Sequence, residues 1–302
     1  MFGRAHPGTI AAIRECPTRQ AERTAEAADG RQSESASDER LRAAEEAVRA
    51  RPDDAEAQQA LGSAYADVER PEEALAAFEQ AACLNPLSGR ALVDVGLMLV
   101  RLDRLEEASE RMQEAFQRAP DSALSHWGVG VVRHFAGDLE RALASYREAA
   151  RLDPRNVSAR QEAGRALHDL GRFREAVVEY RESLRLKPES AWTWCALAEA
   201  YRELGDSLEE ASAYDEAVRC APDDPLPHDR IGAALWRRGN VRGAIQAWSE
   251  AIRLDPDCWS AHANLVSAYG RMGARDLASE HMQELRRIDP EGAEEEAASL
   301  GF

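Results

Sequence analysis

The sequence predicts an all-α protein built from one helix–turn–helix unit repeated in tandem, and three observations carry that expectation. The first is a comb of prolines: Pro52, Pro86, Pro120, Pro154, Pro188, Pro222, Pro256 and Pro290 each stand 34 residues from the next, taking eight of the chain's 13 prolines. The second is a small residue at the eighth place of nearly every unit: Gly62, Gly96, Gly130, Gly164, Ala198 and Gly232, with Val266 as the exception. The third is a bulky one at the twenty-fourth: Phe78, Met112, Tyr146, Tyr180, Tyr214, Trp248 and Met282. Self-similarity at a fixed period of this length marks a stacked repeat architecture.

Each part of the unit has a physical reason. Places 4, 7, 8 and 11 share one helical face, and so do 20, 24 and 27. A small residue at 8 or 20 admits a neighbouring helix, and the bulky residue at 24 fills the space beside it. Most units carry Gly or Asp near place 15, as in Leu170-Gly171-Arg172, where the first helix must stop. The comb proline ends the second helix, because it lacks a donor and restricts the residue before it. Polar residues just after it can cap the next helix, and Pro71 suits the first turn of its own.

Starting each unit three residues after a comb proline gives seven: 55–88, 89–122, 123–156, 157–190, 191–224, 225–258 and 259–292. The segment 38–50 reads as a lone second helix, so a half-repeat, and the repeat region as a whole runs over 37–292. Residues 1–36 fit no unit and are expected to be disordered; 293–302 form an acidic tail or short cap. Unit five carries Glu210 where the others have Ala, and its Ala211 and Tyr214 stand three apart. A local shift of its second helix is expected there. Unit three has Arg133 at place 11, where its neighbours have Leu or Tyr.

These residues resemble tetratricopeptide repeats. The resemblance covers most of the chain and implies a right-handed superhelical solenoid of about seven 34-residue units plus an N-terminal half-repeat, its concave groove lined by the first helix of each. It also implies a non-enzymatic scaffold that binds another protein or peptide.

Composition narrows the function classes. The chain of 302 residues carries 38 Lys+Arg against 55 Asp+Glu, a net charge of −17, so nucleic acid and anionic membrane surfaces are not expected partners. No stretch approaches the ~20 apolar residues of a membrane span. The five cysteines are scattered, with no CxxC pair, which suits a reducing, cytoplasmic setting. There is no GxxxxGK[ST], HExxH, GxSxG or EF-hand loop, so catalysis and cofactors are not expected. Gly128-Val129-Gly130 lies inside an expected helix and reads as close packing. His126, His228 and His262 share place 4 and read as packing residues. His134 and His168 stack at place 12 of successive units, yet no third metal ligand is obvious, and no metal is expected.

In the tetratricopeptide family, places 2, 5, 9, 12 and 13 commonly face the groove. Carried over, they make the groove electrically balanced within an acidic chain, so the excess acid falls elsewhere. Units two and three then present Arg90, Val93, Leu97, Val100, Arg101, Leu124, Trp127, Val131, His134 and Phe135, a mainly apolar cluster, with Arg165, Trp192 and Trp236 further along. Exposed apolar clusters mark binding surfaces, and Trp and Arg are frequent hot-spot residues. The expected site is therefore a peptide groove anchored on Trp127 and Phe135, with arginines setting register. Trp127 is expected to be dispensable for folding. The alternative is a self-associating or accessory subunit that positions an enzyme encoded on another chain.

Overall fold

The computed structural model describes residues 30–300, and every regular element among them is an α-helix. In chain order these are α1 (Gly30–Ala50), α2 (Ala55–Asp67), α3 (Pro71–Leu84), α4 (Gly89–Arg101), α5 (Leu105–Arg118), α6 (Ala123–Phe135), α7 (Leu139–Leu152) and α8 (Val157–Asp169). There follow α9 (Phe173–Leu186), α10 (Ala191–Leu204), α11 (Ser207–Cys220), α12 (Pro225–Arg237), α13 (Val241–Leu254), α14 (Trp259–Met272), α15 (Arg275–Ile288) and α16 (Pro290–Leu300). Even-numbered helices from α2 to α14 are the first helices of repeats one to seven, and α3 to α15 are their second helices.

The described helices fall into two compact units whose boundary runs through α10: one extends to Pro188 and takes in Ala200–Gly205, the other comprises Glu189–Glu199 and the chain from Asp206. Each is an all-α stack of helix–turn–helix repeats. The N-terminal helix α1 takes in residues 30–36; the rest of the expected disordered tail lies outside the described residues. At the other end α16 buries Ala293 and Ala297 with Val266, Met282 and Leu285, covering an apolar surface that the last repeat would otherwise leave open.

Local chemistry sets the boundaries. Asp54, Ser88, Ser122, Asn156 and Asp224, each two residues past a comb proline, accept hydrogen bonds from the first backbone N–H groups of α2, α4, α6, α8 and α12. At place 15 the chain turns through the left-handed region at Gly137, Gly171, Gly205, Gly239 and Gly273. Glu69 and Asp103 adopt the same conformation with φ 59° and 58°, at a steric cost glycine avoids.

Places 8 and 24 pack as the sequence predicts. A Cβ on Gly164 would lie 2.5 Å from Cε1 of Tyr180, and one on Gly232 would lie 2.5 Å from Nε1 of Trp248. Tyr180 and Trp248 are buried at these contacts. Repeat five is a correction. Its α11 begins at the same place as every other second helix, with no extra turn residue and no shift. Glu210 keeps the small-residue place and is buried, while Ala211 is exposed. Its carboxylate accepts from Arg237 Nη2 at 3.2 Å and from Arg238, both at the end of α12 in the next repeat.

Candidate functional site

In the first unit, α4 and α6 carry two stripes at helical spacing: Arg90, Val93, Leu97 and Arg101 on one, and Leu124, Trp127, Val131 and Phe135 on the other. The cluster is more closed than an open groove. Val93, Val100, Val131 and His134 are buried, and Leu97, Leu124, Trp127 and Phe135 are half-buried against the core. Glycine explains the closure. A Cβ on Gly128 would lie 2.6 Å from Met112 Sδ and 3.3 Å from Val93 Cγ1, so its absence brings α6 down over the preceding repeat. Gly130, two residues on, admits Tyr146 of its own repeat in the same way. Trp127 packs both on this core and on Ala149, Ala150 and Ala159. It is thus a packing residue as well as a lining one, contrary to the expectation that folding could spare it. Arg90 is the open member, with its side chain 72% exposed and only a 3.6 Å approach to Asp94.

The first helices are joined by a seam that recurs 35 residues apart, one more than the repeat length. Gln59 donates to Asp94, and Arg101 Nη1 donates to the Ala66 carbonyl at 3.4 Å. His134 Nε2 meets Asp169 Oδ2 at 2.8 Å, and Asn264 Nδ2 donates to Asp229 Oδ1 at 3.1 Å. Arg271 lies 5.2 Å over the Trp236 ring at the same relative places. The extra residue arises because place 12 of one helix abuts place 13 of the next, and place 5 abuts place 6.

His134 and His168 are therefore not a bare pair but flank one carboxylate: His168 Nδ1 stands 4.0 Å from Asp169 Oδ1. Burial works against the Asp169 charge, but His134, His168 and the nearby Arg165 outweigh it and hold its pKa below the usual carboxylate value. Arg165, the fourth-repeat site residue, is tied to Glu162 of its own helix at 2.6 Å. Burial first, and then the Glu162 charge, push the Tyr146 hydroxyl well above its ordinary pKa. Among the described residues no three ligand side chains are placed to hold a metal ion.

Two of the place-4 histidines read the carbonyl of a comb proline: His126 Nε2 lies 2.9 Å from Pro120 O, and His262 Nε2 lies 3.2 Å from Pro256 O. Arg133 donates to Ser145 Oγ at 2.8 Å, which in turn donates to the Arg141 carbonyl. In the second unit Trp192 and Trp236 are half-buried, and Trp236 stands 6.0 Å from Trp248. Burial pushes the Asp229 carboxyl and the Cys195 thiol above their ordinary pKa values.

Family comparison agrees with this architecture. A profile described as "Tetratricopeptide repeat" matches residues 40–88, 60–123, 96–157 and 230–293; a second of that description matches 193–224, and one described as "TPR repeat" matches 164–205. The chain belongs to the tetratricopeptide repeat family. Its fold is that of a protein–protein interaction scaffold. Among solved structures, a chain of the Cut9-Hcn1 hetero-tetramer of the APC/C has a TM-score of 0.63 at 19% identity, covering 77% of this chain and 46% of that one. This tetratricopeptide chain thus spans under half the length of that neighbour. Pseudomonas aeruginosa pilF gives 0.56 at 20% identity, covering 67% and 92%, and the Thermus thermophilus protein TTC0263 gives 0.55 at 24%, covering 61% and 100%. These likenesses show the fold alone. No curated protein matches the sequence. No described helix is long and apolar enough to cross a membrane.

Proposed function

We propose that the chain is a non-enzymatic scaffold that holds a peptide segment of a partner protein along α4 and α6. The observation that carries this reading is the pair of parallel stripes on neighbouring first helices. Leu97, Leu124, Trp127 and Phe135 remain only half-covered there, with exposed Arg90 at one end and half-buried Arg101 at the other. Apolar anchors of the peptide would finish covering the stripe, while Arg90 pairs with an acidic side chain. Val93, Val131 and His134 serve by fixing the helix spacing rather than by contact. Arg165 lies on a first helix of the same unit and would extend the site, while Trp192 and Trp236 belong to the second unit. Cys83, Cys195, Cys220 and Cys258 form no disulfide with one another, which supports a reducing, cytoplasmic setting.

The test is selection of binding peptides from a random display library on the intact protein, followed by titration of the recovered peptide. Arg90→Glu should weaken a selected acidic peptide at least tenfold without moving the melting temperature. Equal affinity for Arg90→Glu, Leu124→Ser and wild type would remove this face as the site.

A further inference from the structure

The turns between first and second helices change sign along the chain. In repeats one and two, segments 67–73 and 101–107 hold seven carboxylates to three arginines. In repeats six and seven the equivalent segments, 237–243 and 271–277, hold five arginines to one carboxylate, Asp276. This is a basic edge on a chain of net charge −17.

Successive turns are neighbours at both places. Arg101 reaches back to the Ala66 carbonyl in the first unit, and Arg271 lies over Trp236 in the second. Arg237 and Arg238 are held by Glu210, but Arg242 and Arg275 are exposed and make no ion pair among the described residues. Beside them Met272 is 56% and Leu277 41% exposed, two of the few large apolar side chains left open on the described surface. On the acidic edge Glu72, Asp103 and Glu106 are likewise exposed without an ion pair.

We propose that the chain self-associates, the basic turn edge of repeats six and seven in one copy docking on the acidic turn edge of repeats one and two in another. The two edges are built from the corresponding turns of successive repeats: Glu72, Glu106 and Arg242 stand at place 18, and Arg275 one place earlier. Both copies carry the same net charge of −17, so only a local match of opposite charges at the two edges can hold them together, and the acidic edge of a second copy supplies that match. Met272 meets the level of Val68 and Leu102, which occupy the equivalent place in repeats one and two. The contact joins two different surfaces, so it is heterologous and grows with concentration.

Sedimentation velocity of the full chain across a wide concentration range tests this directly. Association is expected at low salt and should be lost in roughly 1 M salt, where the Debye length is about 3 Å. The pair Arg242→Glu/Arg275→Glu should weaken it at least tenfold, as should Glu72→Arg/Glu106→Arg, with unchanged helical circular dichroism in both. A chain carrying all four reversals should associate again. A wild type that stays monomeric at low salt overturns the proposal. So does association indifferent to salt, or reversals that are not rescued in the fourfold variant.

Discussion

The His134 imidazole on α6 and the Asp169 carboxylate on α8 meet at 2.8 Å across a repeat boundary, 35 residues apart. His134 is buried, while the Asp169 side chain is 41% exposed, so one partner depends on the contact far more than the other. Asp169→Ala should cost about 1–3 kcal/mol, since it strands a buried imidazole nitrogen. Asp169→Asn, which keeps an acceptor, should cost less. Chemical denaturation of the three proteins at neutral pH measures both.

The same contact gives a pH dependence with a definite sign. The Asp169 pKa is lower folded than unfolded, where it lies near 3.9. Its contribution is complete above the unfolded value and is lost as pH falls below about 4 toward the folded one. Acid melts should therefore show wild type losing more stability than Asp169→Asn below that pH. Parallel curves would mean that the carboxylate titrates alike in both states.

Close packing at place 8 can be separated from turn strain. Gly164→Leu forces a side chain into the Tyr180 ring and should destabilise by about 1–3 kcal/mol. Gly171→Ala meets nothing within 4 Å but sits at φ +71°, so only backbone strain of about 1 kcal/mol should appear. Thermal melts of the two variants should rank them in that order.

Glu210 predicts an asymmetry. Glu210→Ala restores the residue that the other repeats use, and Arg237 and Arg238 are exposed enough to return to water. Its effect should stay within about 1 kcal/mol, whereas Arg237→Ala/Arg238→Ala abandons a buried carboxylate and should cost about 3–5 kcal/mol. Equal losses from the two changes would sink this account.

Trp127→Ala should cost about 3 kcal/mol of stability, because the indole bridges two buried clusters. Arg90→Glu should leave the melt unchanged. The two substitutions therefore separate packing from surface chemistry on neighbouring first helices.

The repeat was legible because its spacing is chemical: a proline that cannot continue a helix, a glycine under a ring, a glycine that turns left-handed. Glu69 and Asp103 show that the turn tolerates other residues, which is why the comb of prolines was the firmer guide. The exposure of the lining residues was less legible. Val93 and Val131 occupy groove places by family pattern, but Gly128 draws α6 close enough to bury them, a consequence of two helices rather than one. His134 and His168 stand at a spacing of 34, the spacing of equivalence. Touching residues lie at 35, the distance that pairs His134 with Asp169 and Asp229 with Asn264.

That offset of one means that repeats are interchangeable in length but not in neighbour. Excising 157–190 would set Glu203 opposite His134, another carboxylate for the same imidazole, and the junction should knit. Excising 123–156 would set Asp169 opposite Val100, a carboxylate against a buried aliphatic side chain, and the junction should fray. The order of the repeats is thus spelled out pair by pair, and a shuffled array of the same seven parts would be a different molecule.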